Sequence, residues 1–171
     1  SIHQDENFPP GRGQVDQTGE GAGEGYNINI PLPPGSGRGA YMAIMERVVG
    51  PAVRNFKPDL VVVPSGFDAN AHDPLGRMML SSKAYRQMTR YVMGLADEVC
   101  DGRLVMCHEG GYSSAYVPFC GQAVVEEMSG ASKPIDDPFL EPIEDMAGQE
   151  LQPHQELVIN KAAEIAKHIK T

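Results

Sequence analysis

Two continuous apolar runs in the chain each have about the length of a buried strand. They are 60-LVVV-63, which continues into Pro64, and 104-LVMCH-108. Runs of this kind are typical of parallel strands that are covered by helices on both faces. A shorter segment, 27-NINI-30, alternates polar and apolar residues as a short strand does. The pattern therefore predicts a short strand remnant followed by three strand–helix units and a tail.

Segments with helical spacing separate and follow these strands. The spacing predicts helices over about 38–56, from Ser81 or Ser82 to Gly102, over about 115–128 and over about 154–169. Between the last two, the interval 130–153 carries four prolines and an acidic run, which predicts an irregular surface crossing. The expected inward faces comprise Met45, Val48, Val49, Ala52 and Phe56, then Tyr85, Met88, Val92, Leu95 and Val99, and finally Leu157, Val158, Ala162, Ile165 and Ile169.

Strands separated by helices imply right-handed parallel crossovers, and hence a three-layer α/β fold with a parallel sheet and flanking helices. We expect a single domain with strand and helix units over 1–129, the crossing over 130–153 and a C-terminal helix over 154–171. Three or four strands make a narrow sheet for this class, which suggests part of a larger one.

Composition narrows the range of partners and compartments. The net charge is −9 and no basic run occurs, which argues against direct binding of nucleic acid or of a membrane surface and is compatible with cationic substrates. Three cysteines without a C-x-x-C pair favour reduced thiols and a cytoplasmic location. No apolar run is long enough to span a membrane and no signal peptide is visible. The chain opens on Ser1 rather than on a methionine, which suggests a fragment.

Candidate chemistry lies after two of the strands, in 65-SGFD-68 and 108-HEGGY-112. In open parallel α/β sheets, sites form beyond the carboxyl ends of the strands. Asp68 is a candidate metal ligand, and its alternative is a carboxylate that organises a turn or caps a helix. Asp73 precedes Pro74 and a glycine, which favours a turn role. His72 is expected to be solvated, or to contact a ligand residue without binding the metal itself.

The second strand end offers a candidate catalytic tyrosine. The hydroxyl of Tyr112 could donate a hydrogen bond to an oxygen that gains charge, and its alternative is a packed tyrosine. His108 and Glu109 are candidate bases or ligands, although a buried, hydrogen-bonded His108 is an equal alternative. The glycine-rich 19-GEGAGEG-25 is not a phosphate loop, because it lacks the required spacing and carries two glutamates.

Four segments together resemble the class II-like histone deacetylase superfamily, and most closely its bacterial branch, which includes acetylpolyamine amidohydrolases. They are 24-EGYNINIPLPPGSG-37, 58-PDLVVVPSGFDANAHDPLGRM-78, 109-EGGY-112 and 149-QELQPHQELVINKAAEIAK-167. The resemblance implies an arginase-like fold with a central eight-stranded parallel sheet. It also implies hydrolysis of an acetyl amide, of acetyl-lysine or of an acetylpolyamine, with zinc held by two aspartates and one histidine.

The resemblance assigns roles position by position. Asp68 matches the second ligand aspartate, and Tyr112 matches the tyrosine that hydrogen-bonds the substrate carbonyl. The matches to the substrate tunnel are Phe8, Leu75, Gly110 and Gly111. The matches to sites for structural monovalent cations, K⁺ or Na⁺, are Ser1 and Ile2 for one and Tyr26 for a second.

The chain departs from the family in one respect. The Asp-x-His segment and the tandem His-His of the family have no counterpart in these 171 residues. We therefore expect the C-terminal half of a deacetylase domain, inactive alone because a catalytic zinc needs about three protein ligands. The alternative is a non-catalytic remnant that serves as a binding or oligomerisation module, and the sequence leaves homo-oligomerisation open.

Overall fold

The computed structural model of the chain describes residues 1–169. The strands are β1 (Ile2–Gln4), β2 (Ile30–Leu32), β3 (Val61–Ser65) and β4 (Leu104–His108). The helices are α1 (Arg38–Ile44), a π-helical segment (Met45–Val49), α2 (Gly50–Phe56), α3 (Ser82–Cys100), α4 (Val117–Ser129), α5 (Leu140–Glu144) and α6 (Pro153–Ala166), and a single 3₁₀ turn covers Gly21–Gly23. Residues 170 and 171, which the predicted C-terminal helix included, lie outside the described residues.

The strands pair in parallel, as predicted, but form two separate two-stranded sheets, β1 with β2 and β3 with β4. The second strand, β2, begins at the last residue of the predicted 27–30 segment and contains Pro31. Ile30 donates its N–H to Ser1 and the Leu32 carbonyl accepts from Asp5, so Pro31 faces away from β1 and its missing N–H costs no ladder bond. Alternation alone could not locate this strand.

The pair β3–β4 is covered on one face within residues 1–169. Met106 packs against the core, whereas Val62 and Val105 are 54% and 46% exposed. This differs from the expectation that both faces are buried, which the apolar residues at every position suggested. The described chain therefore leaves an apolar sheet face in contact with solvent.

One continuous helical stretch connects β2 to β3. The predicted helix over about 38–56 is present, but its centre widens into π geometry directly before Pro51. Proline lacks an N–H and its ring clashes with the carbonyl four residues earlier, so a local widening accommodates it. Val48 is buried, whereas Phe56 is 48% exposed, contrary to its predicted inward position.

Helix α3 has the predicted ends. The Ser81 hydroxyl accepts a hydrogen bond from the Ala84 N–H at 3.3 Å, and Asp101 and Gly102 have left-handed φ values of 52° and 74°. Such residues terminate helices because they reverse the backbone. The charged pair Arg90–Glu127, at 2.7 Å, joins the outer sides of α3 and α4.

The core lies between the helices and the inner faces of the strands. Its largest fully buried apolar side chains are Ile30, Leu32, Ile44, Leu80, Tyr116, Ile143 and Ile159. In α6 the predicted inward residue Leu157 is 70% exposed, and Ile159 is buried in its place. The crossing over 130–153 is not wholly irregular, because α5 lies within it. Among residues 1–169, no helix combines the length and apolar character that a membrane crossing requires.

Candidate functional site

The loops that follow β3 and β4 stay paired beyond the ends of the strands. Ser65 lies opposite His108 in the register, and the Glu109 N–H donates to the Ser65 carbonyl at 3.0 Å. The Phe67 N–H then donates to the Gly110 carbonyl at 2.5 Å. This extension of the ladder brings the Asp68 loop against the glycine loop, as the parallel arrangement predicts.

The Asp68 carboxylate lies between two glycines. A Cβ atom on Gly66 would lie 2.9 Å from Asp68 Oδ1, and a Cβ atom on Gly110 would lie 2.5 Å from Asp68 Oδ2. Side chains at these positions would therefore displace the carboxylate. Glycine at both strand ends creates the space that Asp68 occupies.

The environment of Asp68 is half-buried, and residues 1–169 supply no cationic partner for its carboxylate. Burial raises the pKa of the Asp68 carboxyl above its ordinary value; its own backbone N–H partly offsets the increase, and the charge of Asp73 adds to it. No hydrogen bond from another side chain reaches this carboxylate within residues 1–169. A carboxylate of this kind is available to a cation.

The turn role weighed for Asp68 is performed by its neighbours. Asn70 donates to the Phe67 carbonyl at 2.6 Å and accepts from the His72 N–H at 2.8 Å. Asp73 Oδ1 accepts from the N–H groups of Leu75 and Gly76 at 2.9 and 3.0 Å, as the sequence around Pro74 indicated. The loop is thus shaped without Asp68.

Tyr112 projects from the glycine loop. Its side chain is 56% exposed, which does not fit the alternative of a packed tyrosine. Gly111 before it has a φ of 140°, and an added Cβ would lie 2.9 Å from Phe67 Cβ and 3.0 Å from Val117 Cγ2. Both the backbone conformation and the close approach require glycine there. The Tyr112 N–H donates to Asp73 Oδ2 at 2.8 Å.

The two other polar residues near the strand ends have aromatic neighbours. His108 is exposed rather than buried, and its ring lies 5.0 Å from that of Phe67. His72 is also exposed, and its ring contacts those of Tyr116 and Phe139, each at 5.3 Å between centroids. The buried His108 considered from the sequence is therefore wrong.

The predicted tunnel residues Phe8 and Leu75 are 85% and 61% exposed. Phe8 lies in the long loop between β1 and β2, and Leu75 lies in the loop that also carries Asp68. Their exposure leaves both side chains accessible to a ligand. Their assignment to a tunnel stays a prediction.

The predicted cation residues lie around β1 and the loop before β2. The Ser1 carbonyl accepts from the Ile30 N–H at 2.9 Å, and the Ser1 hydroxyl bonds the ring of His3 at 3.0 Å. Ile2 belongs to β1, and Tyr26 is edge-on to Phe56 with centroids 6.1 Å apart. A K⁺ or Na⁺ site at these residues stays a prediction.

Two buried tyrosines near the site were not singled out from the sequence as functional. Tyr41 and Tyr85 are 5% and 4% exposed, and the Tyr85 hydroxyl has no hydrogen-bond partner among residues 1–169. Burial raises the pKa of both phenols, and the charge of Asp68 contributes to each shift. They therefore remain neutral next to the candidate ligand. Their helical spacing indicated only core positions, so no sequence signal distinguished them.

The donor set for a metal is incomplete. Residues 1–169 contain no group of three or more His, Cys, Asp or Glu side chains that could hold a metal ion. A catalytic zinc site needs about three protein ligands. Asp68 fits the requirements for one such ligand, and the remaining ligands are not found in the described part of the chain.

Comparison with known proteins agrees with the resemblance. A sequence model of the histone deacetylase domain matches residues 1–128. The chain is 54% identical over 144 residues to the histone deacetylase-like amidohydrolase of Pseudomonas aeruginosa, covering 84% of this chain and 38% of that protein. It is 42% identical over 131 residues to histone deacetylase 8 of Arabidopsis thaliana, covering 76% of this chain and 35% of that protein.

Solved structures give the same result for the fold. The structure of the histone deacetylase Clr3 superposes with a TM-score of 0.80 at 33% identity, covering 98% of this chain and 27% of that one. The HDA15 HD domain superposes with a TM-score of 0.77 at 28% identity, covering 96% of this chain and 42% of that one. The predicted α/β class is thus confirmed, and the chain spans less than half the length of each of these relatives. By sequence and by fold, the chain belongs to the histone deacetylase family.

Proposed function

We propose that this chain forms part of a zinc-dependent deacetylase that hydrolyses an acetyl amide, with Asp68 as one zinc ligand and Tyr112 as the donor to the substrate carbonyl. The observation that carries the proposal is the pairing of the two loops. It brings a carboxylate that has no cationic partner among residues 1–169 next to the loop that presents an exposed tyrosine. The family membership supports the same assignment.

In this reaction water adds to the acetyl carbonyl, and the C–N bond then breaks to give acetate and a free amine. Zinc, when bound, would acidify the water and polarise the carbonyl. The Tyr112 hydroxyl would donate a hydrogen bond to the carbonyl oxygen as that oxygen gains negative charge. Gly110 leaves room for the Asp68 carboxylate, and Gly111 lets the loop that carries Tyr112 pack against Phe67 and Val117.

The substrate we propose is acetyl-lysine or an acetylpolyamine. Phe8 and Leu75 would provide apolar walls for a methylene chain. The net charge of −9 favours substrates that carry positive charge elsewhere and disfavours direct contact with nucleic acid. The three free cysteines agree with the cytoplasmic location that we propose.

We further propose that the other zinc ligands come from polypeptide outside these 171 residues. The described residues hold only a partial donor set, and the P. aeruginosa relative is matched over 38% of its length. On this proposal the chain alone neither binds catalytic zinc tightly nor hydrolyses substrate.

A second candidate function is a non-catalytic binding or oligomerisation module. It is favoured by the exposed apolar face of β3–β4, on which Val62 and Val105 contact solvent. Faces of this kind on soluble proteins often mark interaction sites. The two candidates make opposite predictions about Asp68 and Tyr112, because a module does not need either side chain.

The test uses a domain hybrid, in which the matching segment of the P. aeruginosa relative is replaced by the corresponding segment of this chain. We expect the hybrid to hydrolyse a fluorogenic acetyl-lysine substrate. Asp68→Ala should remove bound zinc, and Tyr112→Phe should retain zinc but lower kcat by about 10²- to 10³-fold. Tyr91→Phe on α3, which removes a hydroxyl elsewhere, is the matched control.

Two results would contradict the proposal. Full activity of the Tyr112→Phe hybrid would remove the assigned role of the tyrosine and favour the module. Stoichiometric, tight zinc in the monomeric 171-residue chain, measured by metal analysis after dialysis, would show that the ligand set is complete without further polypeptide.

A further inference from the structure

The two carboxylate oxygens of Asp73 have different partners. Oδ1 accepts from the N–H groups of Leu75 and Gly76 within its own turn. Oδ2 accepts at 2.8 Å from the N–H of Tyr112, which is 39 residues further along the chain. Asp73 is only 9% exposed, so these bonds are shielded from water. The side chain therefore does more than shape its turn.

The bond to Tyr112 lies where the strand ladder has ended. The last ladder-like bonds of the two loops are those between Glu109 and Ser65 and between Phe67 and Gly110. Two glycines then precede Tyr112, and glycine allows a wide range of backbone conformations. The Tyr112 side chain is exposed, and among residues 1–169 the hydrogen bond to Asp73 is the one that holds the backbone N–H of Tyr112 after those glycines.

We propose that Asp73 is a positioning residue that fixes the backbone of Tyr112 relative to the Asp68 loop. This inference rests on the proposed function for the catalytic importance of Tyr112, but not for the contact itself. Because the same carboxylate also holds the Leu75 N–H, it ties the tyrosine to the residue assigned to the tunnel mouth. A single side chain thereby sets the spacing of two candidate site residues, Leu75 and Tyr112.

Asparagine at position 73 separates this role from a purely local turn. Its amide has the shape of the carboxylate but only one accepting oxygen. If that oxygen faces Leu75 and Gly76, the NH₂ group faces the Tyr112 N–H, donor against donor. The reverse orientation loses the turn bonds instead. Asp73→Asn therefore cannot satisfy all three donors.

The chain offers a closely matched control in Asp137. Its Oδ1 accepts from the Phe139 N–H at 2.9 Å in a local turn, and its Oδ2 accepts from the distant hydroxyls of Ser82 and Tyr116 at 2.5 and 3.1 Å. Asp137→Asn makes the same side-chain change at a carboxylate that also joins a local turn to distant donors, and within residues 1–169 no hydrogen bond links Asp137 to Tyr112.

The first experiment measures backbone amides of the 171-residue chain by NMR. In the unmodified chain, the Tyr112 amide should exchange with solvent at least about tenfold more slowly than an unstructured amide. In Asp73→Asn the Tyr112 signal should shift and lose this protection, whereas Asp137→Asn should leave it unchanged. A Tyr112 amide that is unprotected in the unmodified chain, or unaffected by Asp73→Asn, would overturn the proposal.

The second experiment measures kinetics in the domain hybrid. Asp73→Asn should lower kcat by about ten- to a hundredfold with a smaller change in KM, because it displaces a group needed in the transition state. The loss should largely vanish when Tyr112 is already phenylalanine. An equal loss in both backgrounds would show that Asp73 acts independently of Tyr112 and would overturn the positioning role. If Tyr112→Phe itself has no effect, the proposed function fails while the NMR result still decides the contact.

Discussion

Replacing Gly110 by alanine is expected to displace the Asp68 carboxylate while the chain stays folded. The added Cβ would lie 2.5 Å from Asp68 Oδ2 and 3.0 Å from Asp68 Cγ. Gly110 is not among the glycines with positive φ, so alanine can adopt its backbone conformation. The perturbation is therefore steric and is directed at one side chain.

The size of the effect follows from these distances. Non-bonded heavy atoms prefer separations of about 3.5–4.0 Å, so the Asp68 carboxylate must move by roughly 1 Å. Metal–ligand distances tolerate only about 0.2 Å, so ligation should weaken, by about 10- to 100-fold in zinc affinity. The half-exposed carboxylate can yield, which keeps the cost in unfolding free energy near about 1 kcal/mol, a change in Tm of roughly 2–4 °C.

The assay compares zinc affinity in the domain hybrid with the Tm of the chain, for Gly110→Ala, Gly111→Ala and Gly94→Ala. Gly111→Ala should destabilise more, by about 3 kcal/mol, because a φ of 140° adds backbone strain to its contacts with Phe67 and Val117. Gly94 lies exposed in α3 with open space around it, so alanine should stabilise by about 0.5–1 kcal/mol and leave zinc affinity unchanged. Unchanged zinc affinity in Gly110→Ala, or an equal loss in Gly94→Ala, would contradict a steric displacement of Asp68.

Three further predictions concern stability. Burial raises the pKa of Asp68, so the folded state binds the Asp68 proton more readily than the unfolded state does. The free energy of unfolding therefore falls as pH rises above the ordinary pKa value of 3.8. Asp68→Asn should raise Tm at pH 7 and flatten this pH dependence in melts from pH 4 to 7. The hydrogen bond from Arg86 lowers the pKa of Glu126, so this ion pair stabilises the fold above the ordinary pKa value of 4.5 and stops doing so on acidification. Glu126→Gln should lower Tm at pH 7 and weaken the fall of Tm at acid pH. An unchanged fall of Tm at acid pH would contradict this prediction. In urea melts Ile159→Ala should lower the free energy of unfolding by about 2–5 kcal/mol, because Ile159 is fully buried. At the exposed Leu157, alanine should change it by less than about 0.5 kcal/mol. Equal losses would mean that α6 is oriented differently.

The local sequence pattern located two of the four strands, β3 and β4, and the motifs that follow them. The apolar runs at 60–63 and 104–108 correspond closely to β3 and β4, because few other structures accommodate such short runs bounded by turn residues. The parallel order then placed Asp68 and Tyr112 at the same edge, since carboxyl ends of neighbouring parallel strands coincide. The serine cap and the Gly102 terminus of α3 were also readable, because they are local features.

Long-range packing sets which surfaces are covered and which distant groups meet. The spacing of apolar residues does not indicate which side of a strand or helix a neighbouring element will cover. For this reason it does not predict the exposure of Val62, Val105 and Leu157. The sequence around Asp73 indicated a turn, and its second oxygen met Tyr112 only through the register of two loops. That register depends on long-range pairing, and no local pattern encodes the distance between residues 39 positions apart.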